Sequence, residues 1–286
     1  MTVDDGPAFY DDEKVFARYL QGRHRTDGPN ETLEKPVTLE LLGDVAAQRI
    51  LDLGCGDASL GHEVLERGAR RYVGVEGSRR MAELARQTLA GTPGEVSHSP
   101  VEDWQYPPGA FDRVVARLML HYVADIAPIF AQVYQTLVPG GLSVFSVEHP
   151  VITSCDRAWP AGTVRQDWIV DNYFDTGLRV TAWLGGEVRK YHRTVEDYFV
   201  TLQAAGFVVE CLRESRPQRE RFVDEATYIR RKRIPLFLFL AGRKSHRGQW
   251  QNSALPPRLT EGGSPPQNTL AGSASSGLGL QPSTPG

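Results

Sequence analysis

The residues with the most chemical potential lie together in Asp52-Leu53-Gly54-Cys55-Gly56-Asp57-Ala58. Glycines at 54 and 56 let the backbone approach a bound molecule where a Cβ would collide. The apolar run Ile50-Leu51-Asp52-Leu53 reads as a buried strand entering this turn. Leu60, Val64 and Leu65 then form one face of a helix that Gly68 ends. A glycine turn between strand and helix opens onto the crevice at the carboxyl edge of a parallel sheet, where ligands bind. Two details separate it from a nicotinamide-dinucleotide fingerprint. Ser59 stands where the third glycine belongs, and Asp52 lies two residues before the first. A carboxylate there repels a pyrophosphate but suits an ammonium or sulfonium cation. Glu76 ends Val73-Gly74-Val75, about twenty residues beyond the turn, where an acid can accept from both hydroxyls of a ribose. It can equally be a solvated acid opening a helix.

Three histidines are candidates for proton transfer or acceptor contact. His121 follows the fourth strand at the mouth of the crevice and titrates near neutral pH, which suits a general base. His149 ends the fifth strand beside Glu148 and precedes Pro150, so its backbone is extended. Each can also be a packed, hydrogen-bonded histidine. His192 has a weaker claim and can serve simply to order the loop before Thr194. Trp159, Trp168, Tyr173, Phe174 and Trp183 fall in a stretch without helical period and are expected to cap an acceptor pocket, whose walls favour aromatic residues. Their other reading is packing of this insertion onto the sheet. Tyr10, Phe16, Tyr19 and Arg23 belong to an N-terminal segment expected to form helices closing the opposite side.

These residues need a frame, and the hydrophobic pattern supplies one. Strands are predicted at Ile50 to Leu53, Arg71 to Val75, Glu95 to His98, Asp112 to Ala116 and Leu142 to Val147. Between them run helices opened by Ser78 and Asp125, the first with Met81, Leu84, Ala85 and Leu89 inward and the second with Ile129, Phe130 and Val133. Thr194 with Asp197 forms a capping box for a later helix, ended by Gly206. Strands at Phe207 to Leu212 and Pro235 to Ala241 follow with no convincing crossover helix between them, so they are expected to pair antiparallel. The prediction is a doubly wound α/β fold: a mostly parallel seven-stranded sheet, its last strand antiparallel. Residues 1–48 are read as a helical lid, 49–245 as the main domain with an insertion at 150–193, and 246–286 as a disordered tail of Gly, Pro, Ser, Gln and Thr.

The 286-residue chain is 41% hydrophobic and 23% charged, with net charge −3. These values are ordinary for a globular domain and give no general attraction to phosphate backbones or anionic membranes. Eight lysines and arginines fall between Arg213 and Arg233, but Glu214, Glu220, Asp224 and Glu225 interrupt them, so a solvated connection is expected. Cys55, Cys155 and Cys211 support neither a disulfide framework nor a metal site, so none is expected. The start lacks a signal-peptide pattern and Ile234 to Ala241 is too short to span a bilayer. A cytoplasmic location is expected, as a monomer or homodimer.

Taken in order, Asp52 to Gly56, Glu76, Glu102-Asp103-Trp104 and Phe111-Asp112-Arg113-Val114-Val115 resemble the successive motifs of class I S-adenosylmethionine-dependent methyltransferases. Leu118 to Tyr122, Ser146 to Pro150 and Lys190 to Tyr198 resemble a bacterial subgroup acting on small metabolites. The resemblance implies S-adenosylmethionine as cofactor, bound by Asp52, Gly54, Cys55, Gly56, Glu76 and Gly77. It implies that Glu102 or Asp103 meets the adenine amino group, that Val101 or a neighbour offers a backbone N–H to the ring, and that Arg117 and Leu118 line the methionine portion. The implied reaction is methyl transfer to O, N or nucleophilic C of a small acceptor, aromatic or otherwise, with Tyr10, Tyr19, Arg23, Tyr122, Glu148 and the insertion's aromatics at the acceptor or lid. Three alternatives stay open at this point: a methyltransferase acting on tRNA or protein, a cofactor-retaining cyclase or rearrangement enzyme that moves no methyl, and a nicotinamide oxidoreductase.

Overall fold

In the computed structural model, residues 6–23, 27–155 and 168–246 are described. The sheet strands are β1 (Arg49–Leu53), β2 (Arg71–Glu76), β3 (Gly94–His98), β4 (Phe111–Arg117), β5 (Leu137–Glu148), β8 (Phe207–Glu214) and β9 (Phe237–Lys244). Their order is β3-β2-β1-β4-β5-β9-β8. Neighbours pair in parallel from β3 to β5, whereas β9 runs antiparallel to both β5 and β8. The expected seven-stranded sheet with one reversed strand is therefore present.

Alternation along each strand sends side chains to two separate cores. Leu51, Leu53, Val73, Val75, Val114 and Ala116 meet helices α5 (Ala127–Thr136) and α7 (Val195–Ala204). Ile50, Tyr72, Val115 and Val144 meet α2 (Lys35–Leu42), α3 (Ser59–Glu66) and α4 (Arg79–Thr88). Burial on both faces is what makes the central strands continuously apolar. Ser78 caps α4 by accepting from Met81 N at 3.2 Å, and the Thr194–Asp197 capping box on α7 is complete. Asp125 accepts from Ala127 N at 3.0 Å beside the start of α5, although Ile126 occupies the cap position.

Two parts differ from the sequence-based reading. Between β5 and α7 lie a short helix α6 (Pro150–Thr153) and a hairpin of β6 (Gly177–Trp183) and β7 (Gly186–His192), where only irregular chain was expected. The hairpin closes through Leu184 and Gly185, both at positive φ (48° and 81°), the conformation that joins twisted strands in two residues. A seven-residue helix α8 (Glu225–Arg231) also interrupts the β8–β9 connection, with Asp224 capping it. It makes no crossover, because β8 and β9 are antiparallel neighbours. Ahead of β1, a 3-10 turn (Gly6–Asp11), helix α1 (Glu13–Arg23), a π turn (Asn30–Glu34) and α2 form an arm. Asp11 fastens the arm to the start of α4, its Oδ1 accepting from Ser78 Oγ at 2.8 Å and Arg80 N at 3.0 Å. No helix among the described residues is long and apolar enough to cross a membrane. The expected tail from residue 247 lies outside the described residues.

Candidate active site

A cleft of about 190 Å³ opens at the carboxyl ends of β1, β2 and β4, walled by the loops leaving those strands and by the arm. The loop after β1 bends through Gly54 and Gly56 at φ +67° and +57°, a region costly for residues bearing a Cβ. A Cβ on Gly54 would lie 2.7 Å from Met119 Cβ, so the loop is pressed against the turn leaving β4. At Gly77 a Cβ would lie 2.5 Å from Pro7 Cγ, because the arm crosses directly above that loop.

Two acids in this wall are buried. Tyr72 Oη donates to Asp52 Oδ2 at 2.7 Å, while Oδ1 is buried with no hydrogen-bond partner. Burial pushes the Asp52 carboxyl up to about 7; the Tyr72 bond and the Arg117 charge oppose the rise. A carboxylate with one unanswered oxygen calls for a cationic partner. Glu76 is also raised by burial, and its two oxygens accept from Gly56 N at 2.8 Å and Ser78 N at 2.9 Å. Those bonds fix the carboxylate across the mouth of the glycine turn.

Of the residues expected at the cofactor, Asp52, Gly54, Cys55, Gly56, Glu76, Gly77, Val101, Glu102, Arg117 and Leu118 line the cleft. Asp103 does not: it is exposed one residue beyond Glu102, and its N–H turns back to Pro100 O at 3.2 Å. Tyr10, Tyr19 and Tyr122 line it as well, with Met119 of the Leu118–Tyr122 stretch and with Val123 and Asn30, which no sequence signal singled out. Asn30 sits on the π turn, whose place over the sheet comes from tertiary contact alone.

The proposed bases are elsewhere. His121 is 1% exposed and off the cleft wall, with Nδ1 3.5 Å from Glu148 N. Burial lowers its pKa to about 4, with Lys190 and Arg193 adding to the fall against the pull of Glu148. A neutral ring that accepts at Nδ1 carries its proton on Nε2, and its one lone pair faces the Glu148 N–H instead of the cleft. His149 caps α6, accepting from Val151 N at 3.2 Å, and its Nε2 meets Glu214 at 3.0 Å. Neither histidine is positioned as a base.

The insertion's residues are likewise structural. His192 joins Thr153 Oγ1 (2.8 Å) to Tyr173 O (2.8 Å). The Tyr173 ring stacks edge-on against His192, and Trp168 Nε1 donates to Val151 O at 2.8 Å. Trp183 is 44% exposed, over the Lys190 ammonium. Glu148 accepts from Lys190 Nζ at 2.6 Å; burial alone would raise its pKa, but the Lys190 charge and hydrogen bond hold it below the ordinary range. None of these lines the cleft, and Phe174 (85%) and Trp183 (44%) stand exposed, so the described aromatics of this stretch do not cap the cleft. Trp159 lies outside the described residues, and Arg23 is described only as the last residue of α1.

A family model described as a methyltransferase domain matches residues 50–141, the segment from β1 to the start of β5. The crystal structure of an S-adenosylmethionine-dependent methyltransferase from Mesorhizobium loti is 32% identical, with a TM-score of 0.69, the match covering 76% of this chain and all of that one. The chain belongs to the class I S-adenosylmethionine-dependent methyltransferases. It is therefore an enzyme, and S-adenosylmethionine is its cofactor. The orphaned Asp52 oxygen and the side-chain-free turn fit that molecule, which carries an ammonium, a sulfonium and a ribose. A Haemophilus influenzae protein of unassigned activity is 30% identical to this methyltransferase, over 72% of this chain and 85% of that one. Trans-aconitate 2-methyltransferase of Acidovorax sp. (strain JS42) is 35% identical over 116 residues, 39% of this chain and 43% of that protein.

Proposed function

We propose that this methyltransferase acts on a small molecule, at an O, N or nucleophilic C atom, and that it works by positioning and exclusion of water without a histidine base. The observation that carries this reading is the composition of the cleft wall. Alongside the acids and glycines it holds three tyrosines, Met119 and Val123, and among the described residues it holds no histidine or lysine. When bound, the cofactor supplies an electrophilic methyl carbon. Asp52 would hold its ammonium, Glu76 its ribose, and Val101 with Glu102 its adenine. Tyr10 and Tyr122 both line the cleft, and burial raises both hydroxyls far above neutral pH. They therefore serve as neutral donors or acceptors that orient a substrate, and alignment of nucleophile and methyl carbon supplies the rate gain.

A small acceptor is favoured over tRNA because acids interrupt the basic run of 213–233 and pair with part of it. Arg213 pairs with Glu40 at 3.0 Å and Arg219 with Glu225 at 2.6 Å. The test offers methyl-labelled cofactor with three fractions of a cell extract: metabolites, tRNA and protein. Label is expected in the metabolite fraction; label confined to tRNA or protein would overturn the proposal.

A further inference from the structure

The stretches Leu118 to Tyr122, Ser146 to Pro150 and Lys190 to Tyr198 lie far apart along the chain. In the fold they meet behind the tyrosine side of the cleft. The 3-10 turn Leu120–Tyr122 puts Tyr122 in the wall and His121 behind it, their ring centroids 4.4 Å apart. His121 Nδ1 faces the N–H of Glu148 at the end of β5. Glu148 accepts from Lys190 Nζ, and that ammonium stands 5.7 Å from the centre of the Tyr122 ring. Strand alternation takes it there, since Val188, Lys190 and His192 of β7 are all turned inward and buried.

Arg193, one residue beyond β7, closes this cluster. Its Nη2 donates to Val123 O and Ala124 O, both at 2.7 Å, and its Nη1 to Leu120 O at 3.4 Å. Those carbonyls lie at both ends of the 3-10 turn, so one planar guanidinium fixes the piece of chain that carries Tyr122. The tip of the same hairpin holds the facing tyrosine. Leu184 O accepts from Arg18 Nη1 at 2.9 Å, and Val188 packs with Phe9, Tyr10 and Tyr122. Asp52 and Glu76 are held separately, by Tyr72 and by the N–H groups of Gly56 and Ser78. The acids and the tyrosines of the cleft thus have different supports, and the hairpin belongs to the second.

We infer that Lys190 and Arg193 are positioning residues for the acceptor, acting through Tyr122, and that they do not govern how the cofactor is held. The inference rests on the reading of Tyr10 and Tyr122 as the groups that orient a small acceptor. Two variants test it. Arg193→Lys keeps the charge but loses the fork that spans the carbonyls, and Lys190→Met with Glu148→Gln removes both charges of the buried pair. Each is measured by calorimetry for its Kd for S-adenosylhomocysteine. Each is also measured for labelling of the metabolite fraction across a dilution series, with methyl-labelled cofactor saturating. Half-maximal labelling is expected to need about tenfold more of the fraction, with the Kd within about twofold of the unaltered protein. A lower maximal rate at an unchanged half-point would make the cluster a scaffold only. Weakening of S-adenosylhomocysteine by the same factor would make it a support of the whole cleft. Either result, or no change in both variants, overturns the inference; should one variant fail to fold, the other decides. Labelling of the metabolite fraction by the unaltered protein is the control, and its absence marks failure of the small-molecule reading beneath.

Discussion

Asp52 brings its own pH dependence to stability and to ligand binding. Its folded pKa of about 7 exceeds the usual carboxylate value, so between about pH 4 and 7 the folded state holds a proton that the unfolded chain has released. Stability from this group is therefore greatest at low pH and declines as pH rises through that window. Ligand binding has the opposite sign. An ammonium needs the ionised carboxylate, so affinity for S-adenosylhomocysteine should rise with pH up to about 7, by at most roughly tenfold per unit, and level off above it. Calorimetry at several pH values, in buffers of different ionisation enthalpy, would show proton release on binding below neutrality. Asp52→Asn should abolish that release, weaken binding, and leave the protein without ligand at least as stable at pH 8. For His121 the expectation is negative: His121→Gln should shift melting temperature and leave the pH profile of turnover between about pH 6 and 8 unchanged. Loss of the acid limb, along which turnover rises as a base gives up its proton, would restore the histidine to catalysis.

At the scale of elements, the cofactor site depends on packing behind it. Gly61 of α3 faces Tyr72 of β2, and a Cβ there would lie 2.4 Å from the ring. Gly61→Ala must move the ring whose hydroxyl holds Asp52, and is expected to cost roughly 1–3 kcal/mol of stability along with cofactor affinity. Thr194→Ala, which breaks the capping box of α7 away from the cleft, should cost about 1 kcal/mol with cofactor affinity intact. Denaturant titration beside calorimetry separates the two cases. What the sequence made legible follows the same division. Asp52, the glycines and Glu76 could be read because their roles are set within one strand–turn–helix unit, where spacing fixes position. The β6–β7 hairpin escaped because its turn uses Leu184 in a conformation normally reserved for Gly, Asn or Asp. The support behind Tyr122 could not have been read, since Lys190 and Arg193 reach Glu148 and Val123 from 42 and 70 residues away. The histidines misled because strand ends at the active edge also supply caps and packing groups, and only the observed bonds of His121 and His149 distinguish those uses.

Across the whole molecule, every described residue of the cleft wall falls between Gly6 and Val123. Removing residues 247–286 is accordingly expected to leave the calorimetric Kd for S-adenosylhomocysteine unchanged. The second half of the chain matters in another way, through the order in which the sheet is completed. β9 lies between β5 and β8 although it is the last of the three to be synthesised. Until Phe237–Lys244 has emerged from the ribosome, β5 presents a raw hydrogen-bonding edge and β8 has no neighbour to join. A chain whose β9 has not yet emerged can complete only the five strands β1 to β5, with Phe145 and Val147 on the unpaired edge strand. Chaperone capture or self-association at that stage is the hazard built into this topology. A chain stopped before Phe237 should sediment with insoluble material even though its cofactor-binding half is intact.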